Sequence, residues 1–318
     1  MMSGKKFSLT VVGVVAAVIL LLEIPILFFE PFYMDGEYPY WKQQKDAVLR
    51  NGTQQEVLLL GDSRMKIGAR ADLLGDDVYN LALGGGTPME MYYTLKDYLD
   101  HHPTPRMVIV AFGPTHYAEA ECYMTRNAYF HYFSNNRLRE TNEKILEQDG
   151  KDYRSESVPY MYRLPNIYVK RIVKALRAPR TKVNRDLYEK AEKSRGRMFG
   201  SDRQDLKNVE PGETKNAHFV PLASQTYYMK QLIELCLAHD IPIHITQSPM
   251  GNYGLQKLEA SGYLAEYKVY MQRFADEYHI DVNPVIPGYD DEYFGDPSHL
   301  NEQGQIRFTE ELRKSYLE

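Results

Sequence analysis

Val57-Leu58-Leu59-Leu60-Gly61-Asp62-Ser63-Arg64 is the stretch on which the reading of this chain turns. Four consecutive apolar residues that stop at a glycine are too short for a helix and lack the alternation of a half-exposed strand. They predict a short strand buried on both faces, as in a parallel sheet. Gly61 turns the chain, and Asp62-Ser63-Arg64 follow at the strand's carboxyl end, where open parallel sheets place their ligands. A second such strand is predicted over 78–81, before Gly84-Gly85-Gly86, and a third over 107–112, before Gly113-Pro114. Between them Met91, Leu95, Tyr98 and Leu99 recur at helical spacing and predict a helix over 88–101. The alternation resumes with a helix over 225–239, a strand over 241–246, and helices over 263–278 and 302–316. Such an order predicts an α/β fold: a three-layer α/β/α sandwich with a mainly parallel sheet.

Upstream, the run that starts at Leu9 and ends at Phe29 is apolar apart from Thr10 and Glu23. About 20 such residues, each rising about 1.5 Å, suffice to cross a bilayer core. Lys5 and Lys6 precede it and no comparable basic cluster follows, which predicts a cytoplasmic N-terminus and an extracytoplasmic remainder. A cleaved signal peptide is the rival, but Glu30-Pro31-Phe32-Tyr33 follow where small residues would be required. The expected organisation is an anchor over 1–30, a polar stalk over 31–55, and a domain over 56–318. A helical insertion interrupts that domain at about 118–221, where the sequence is charged and tyrosine-rich without strand pattern. Within it, 194–216 has a disordered linker as an alternative reading.

Composition narrows the function classes. A chain of 318 residues, 43% of them hydrophobic, supports a sizeable core, and a net charge of -5 argues against nucleic-acid binding. Cys122 and Cys236 are too few for a disulfide scaffold and lack metal-site spacing, leaving one bridge or none. Neither a metal nor an organic cofactor is expected.

The chemistry gathers after the predicted strands. Ser63 places a hydroxyl on a tight turn entering a helix, where backbone N–H groups favour developing negative charge. The glycines around Gly85 let N–H groups approach a substrate oxygen. Near the C-terminus, Asp296-Pro297-Ser298-His299 puts a carboxylate three residues before a histidine, a spacing that can orient an imidazole as general base. The G-x-S-x-G elbow of α/β-hydrolases does not fit, since Met65 stands at its second glycine.

In that order of blocks the chain resembles the SGNH, or GDSL-like, esterases and acyltransferases, whose blocks run G-D-S, N-x-G-x-x-G, G-x-N and D-x-x-H. The resemblance covers the region from Gly61 to His299 and fails mainly in the insertion. It implies a flavodoxin-like sandwich with Ser63 as nucleophile, His299 as base and Asp296 as its orienter. The N–H groups of Ser63 and Gly85 are implied as oxyanion donors, although Ala82 replaces the first glycine of the second block. Thr115 stands where the family has its oxyanion asparagine, so either Thr115, His116 or another group would substitute, or the reaction makes weaker demands, such as passing an acyl group between preset partners. His116 also has an ordinary reading as a packed or solvent-facing residue after a strand.

The anchor, degenerate third block and large insertion look like the subgroup that works beside membrane-bound O-acyltransferases, in D-alanylation of teichoic acid or O-acetylation of exported polysaccharides. That likeness implies a membrane-bound O-acyltransferase as partner and a polysaccharide or teichoic polymer as acceptor, with an acyl-Ser63 intermediate. Two alternatives stay open: an esterase that deacetylates surface glycans, and a non-catalytic assembly subunit that keeps the fold. Residues 163–197 carry twelve Lys and Arg against three Asp and Glu. Val169, Ile172, Val173 and Leu176 fall at helical spacing there beside Lys170, Arg171 and Lys174, predicting a basic amphipathic helix that contacts a membrane surface or partner. A solvated helix with its apolar stripe on the domain is the plainer reading. Arg64, beside the serine, and His116 are further candidate contacts for substrate or partner.

Overall fold

The computed structural model describes residues 4–50, 55–120 and 122–318. Residues 51–54, at the end of the expected stalk, and the Lys5 side chain, on which the expected orientation leans, lie outside the described residues.

Along the chain, helices α1 (Gly4–Phe28), α2 (Glu30–Tyr33) and α3 (Tyr38–Leu49) lead into strand β1 (Val57–Gly61). Helices α4 (Ser63–Gly68) and α5 (Ala71–Leu74) precede β2 (Val78–Asn80), and α6 (Pro88–His101) precedes β3 (Met107–Ala111) and the single turn α7 (Thr115–Ala118). Helices α8 (Asn135–Asp149), α9 (Arg154–Met161), α10 (Pro165–Arg177) and α11 (Thr181–Lys193) come next, then α12 (Ala223–Ala238), β4 (Ile243–Thr246) and β5 (Met250–Gly251). The chain closes with α13 (Asn252–Ala260), α14 (Tyr263–Tyr278), β6 (Asp281–Val282), β7 (Gly288–Tyr289) and α15 (Glu302–Tyr316).

Two compact units result. The larger joins Tyr40–Cys122 to Glu189–Glu318, and the smaller joins the chain up to Pro39 to Tyr123–Tyr188. The larger unit is α/β, with a sheet in the order β2-β1-β3-β4-β6 whose pairings are all parallel. Strand β1 sits inside this sheet with Val57 to Leu60 wholly buried, because an unbroken apolar run has no face to offer water. Its register, Val57 opposite both Val78 and Met107, brings the ends of β1 and β3 level at Gly61 and Ala111. Strand β6 is two residues long with Asp281 exposed, too short and too polar to announce itself in the sequence. Helix α6 packs on α12, with the rings of Tyr93 and Tyr228 5.7 Å apart. Phe308 of α15 lies against Gly68 at the end of α4.

The smaller unit is helical. Its core gathers Ile26 of α1, Tyr33, Met34 and Tyr38 with Tyr168, Ile172 and Ala175 of α10. Helix α1 is long and apolar enough over Lys6–Phe28 to cross a membrane.

Two expectations about organisation change, and one open alternative closes. The segment expected as a stalk is not free-standing: within the larger unit Trp41, Gln43, Gln44 and Val48 of α3 are buried, with Gln44 donating to the Leu81 carbonyl and the Thr94 hydroxyl. Polar residues hid this helix, because glutamines that are buried and donate inside leave no apolar stripe in the sequence. The expected insertion at 118–221 is divided, since only Tyr123–Tyr188 falls in the helical unit. Residues 189–221 belong to the α/β unit, where Met198 N–H bonds the Lys66 carbonyl and Val209 and Glu213 are buried, so 194–216 packs as part of that unit. Cys122 and Cys236 are both buried and form no disulfide, so of one bridge or none the structure has none.

Candidate active site

The site is built where β1 ends. Gly61 has φ +152°, and a Cβ there would lie 2.0 Å from the Ala111 carbonyl oxygen, so only glycine lets β1 and β3 stay paired to their last residues. Asp62 then caps α4: its Oδ1 accepts from the N–H groups of Arg64 (2.8 Å) and Met65 (3.4 Å). Its Oδ2 accepts from Gly113 N–H at 2.7 Å, tying the end of β3 to the start of α4, and His116 Nε2 stands 3.1 Å from the same oxygen. Asp62 is fully buried, so this carboxylate orders the turn. Ser63 is thereby fixed as the first residue of the helix.

The other half comes from 236 residues downstream. His299 Nε2 lies 2.7 Å from Ser63 Oγ, and His299 Nδ1 lies 2.9 Å from each carboxylate oxygen of Asp296. Asp296 Oδ1 also accepts from the N–H groups of Ser298 (2.9 Å) and His299 (3.0 Å). Burial acts to raise the Asp296 pKa, but the hydrogen bond and charge of His299, with these two N–H groups, hold it below its ordinary value. The turn is braced by the Gly295 N–H to His299 carbonyl bond (2.9 Å) and by Asn301. The buried Asn301 side chain caps α15 through Gly304 N–H (3.2 Å) and donates to the carbonyls of Glu292 (2.6 Å), Arg203 (3.1 Å) and Phe294 (3.4 Å). Its place, two residues after the histidine and just before a helix, is an N-cap signal in the sequence to which no role had been attached.

The glycine loop after β2 is held against this turn. Leu83 N–H bonds the Gly61 carbonyl at 3.0 Å, and Thr87 N–H bonds the buried Glu90 carboxylate at 2.7 Å as α6 begins. Among the described residues neither Ser63 N–H nor Gly85 N–H has a hydrogen-bond partner, and both residues are partly exposed.

The third block is wired inward. Thr115 Oγ1, expected as an oxyanion donor, donates to Glu213 Oε1 at 3.1 Å. Arg64, expected as a substrate or partner contact, is buried and pairs with the same oxygen at 2.6 Å, with side-chain exposures of 6% and 1%. Burial opposes the Arg64 charge, yet Glu213 and Asp62 raise its pKa above the ordinary value. A Cβ on Gly113 would lie 2.7 Å from the Arg64 guanidinium, so the glycine of this block makes room for that pair. Glu213, on a short 3-10 turn (Gly212–Lys215), left no signal in the sequence, because nothing in its neighbourhood shows that it meets a residue 149 positions away. His116, its side chain 20% exposed, turns Nε2 toward the Asp62 carboxylate. Lys66 is also buried on α4, its ammonium 3.2 Å from the Asn80 carbonyl, and burial pushes its pKa down to about 7.

Lys170, Arg171 and Lys174 belong to the other unit, on α10. Among the described residues no cluster of three or more His, Cys, Asp or Glu side chains has the arrangement of a metal site. The assembled groups can relay a proton from a hydroxyl through an imidazole oriented by a carboxylate, beside two free backbone donors. No model of a known protein family matches the chain, and no curated protein matches it.

Proposed function

We propose that this chain is a membrane-anchored serine acyltransferase of the SGNH type, working through an acyl-Ser63 intermediate outside the cytoplasmic membrane. The observation that carries the reading is the continuous row Ser63 Oγ, His299, Asp296, in which each imidazole nitrogen has one partner at 2.7 to 2.9 Å. A histidine so placed can take the hydroxyl proton on one nitrogen while the carboxylate stabilises the imidazolium through the other.

In the first step Ser63 Oγ attacks the acyl carbonyl and His299 Nε2 takes its proton. The carbonyl oxygen becomes an oxyanion, for which the unpartnered N–H groups of Ser63 and Gly85 are the available donors. Collapse breaks the bond to the leaving group, which receives the proton from His299, and leaves an ester on Ser63. In the second step His299 deprotonates an acceptor hydroxyl, whose oxygen attacks that ester. The serine proton returns from His299 as the new ester departs. With the parallel sheet and the strand-end placement of Ser63, this row supports a three-layer SGNH arrangement of the larger unit. Helix α1, with Lys6 near its N-terminal end ahead of the apolar run, supports a single-pass protein with a cytoplasmic N-terminus. A membrane-bound O-acyltransferase as acyl source and a surface polysaccharide or teichoic polymer as acceptor complete the proposal.

The test is labelling of the purified full chain with a serine-directed fluorophosphonate, which Ser63→Ala should abolish. Incubation with an activated acyl ester and a polyol acceptor should then yield acylated polyol. Acid release with no acylated acceptor would replace transfer by esterase activity, and absence of labelling would leave a non-catalytic subunit.

A further inference from the structure

In the smaller unit, α10 is fastened to the end of the candidate span. Ile26, in the last turn of the span, is fully buried, and its carbonyl accepts from Tyr33 Oη (2.9 Å) and Arg163 Nη1 (3.4 Å). Arg163 also pairs with Glu30 at 2.6 Å. Arg180 N–H bonds the Phe32 carbonyl (3.0 Å), and Asn184 donates to the carbonyls of Pro31 and Met34, both at 2.8 Å. Groups bonded to residues 26–34 stand within a turn or two of the point where a spanning α1 leaves hydrocarbon, at headgroup depth.

The face that α10 buries differs from the apolar stripe expected from its sequence. Tyr168, Ile172 and Ala175 are buried, whereas Val173 and Leu176 are 51% and 70% exposed. Lys170, Lys174 and Arg177 share that outward side, and none of the three has an ion pair among the described residues. Two exposed aliphatic residues among uncompensated cations make an unfavourable surface in water and a favourable one at an anionic interface. Beside it lies a cavity of about 70 Å³ lined by Tyr33, Asp35, Arg171, Lys174 and Arg180. Asp35 is taken by Arg171, while Arg180 Nε is buried there without a partner. Two basic groups therefore remain for an anion.

We propose that α10 lies on the leaflet surface at which α1 ends, with Val173 and Leu176 inserted among the acyl chains. Lys174 and Arg180 bind the phosphate of an anionic phospholipid in that leaflet. The inference rests on α1 crossing a bilayer.

The experiment uses the full chain in nanodiscs of phosphatidylcholine with or without phosphatidylglycerol, carrying a spin label at Leu176→Cys or, separately, at Val14→Cys in α1. Relaxation by oxygen against a water-soluble nickel chelate reports depth. Expected is an oxygen-to-nickel ratio several-fold above that of free label in buffer at both positions. Phosphatidylglycerol should raise the Leu176 ratio further, and Lys174→Gln with Arg180→Gln should remove that increment while the Val14 value stays unchanged. A Leu176 ratio equal to that of free label, with Val14 in hydrocarbon, overturns the docking and leaves the anchor standing. Both labels in water overturn the anchor and the docking together. An increment that inorganic phosphate reproduces in neutral nanodiscs, or that survives the double substitution, overturns the lipid-phosphate assignment.

Discussion

Ser63 owes its position to two constraints that meet at one turn: the glycine that lets β1 and β3 run level, and the aspartate that caps the helix behind it. Since both are met without the hydroxyl, Ser63→Ala should leave the melting temperature nearly unchanged. The proposed acyl-transfer activity should fall by several orders of magnitude, as when a triad loses its nucleophile. A steady-state assay with a melting curve on the same preparation checks both halves. Asp296→Asn should retain more activity than His299→Ala, because an orienter contributes less than the base it orients. Thr115 offers a sharper contrast. Loss of an oxyanion donor costs about 10²- to 10³-fold in rate, but the Thr115 hydroxyl donates to Glu213. Thr115→Val should therefore change kcat less than about tenfold, and a drop of the larger size would mean that the hydroxyl turns to the substrate during reaction. Lys66 predicts a pH effect. Its pKa lies at about 7 in the fold and at its ordinary value near 10.5 in the unfolded chain, so between these the unfolded state holds the extra proton. Stability then rises with pH through that window, by an amount on the order of a few kcal/mol. Lys66→Met should remove the rise, which chemical denaturation at several pH values would reveal.

Among the elements, those with a clear period or an unbroken apolar run were legible and those without were not. Helices α6, α14 and α15 occupy the spans expected for them, since a repeat of three to four residues over fourteen or more positions leaves a readable stripe. Strand β1 was legible for the opposite reason, as a run with no polar face. The 3-10 turn that carries Glu213 has no period, yet it holds Arg64 and Thr115. Glu213→Ala would leave the Arg64 guanidinium buried without its partner, a change that costs about 3–5 kcal/mol in comparable pairs. Urea unfolding of that variant should show the loss, and Arg64→Met with Glu213→Ala should recover part of it. Full stability in the single variant would mean that water reaches the guanidinium.

For the molecule as a whole, two units answer to different physics: one is organised by a parallel sheet, the other by helices gathered on the end of an apolar span. The full chain should stay with membranes through alkaline carbonate extraction. A chain lacking residues 4–23, which keeps the buried Ile26, should be released yet still react with a fluorophosphonate at Ser63. Release of the full chain would mean that α1 does not span.

The sequence by itself determined the α/β alternation, the apolar segment, and the candidates Ser63, Asp296 and His299, because each is written in the chemistry of adjacent residues and in short periods. Only the tertiary structure decided that His299 stands 2.7 Å from a serine 236 positions away. It also decided that Thr115 and Arg64 turn inward to Glu213, that α3 is packed, and that Val173 and Leu176 face outward. Which partner a side chain meets across such separations depends on how whole elements pack, and no local pattern records that.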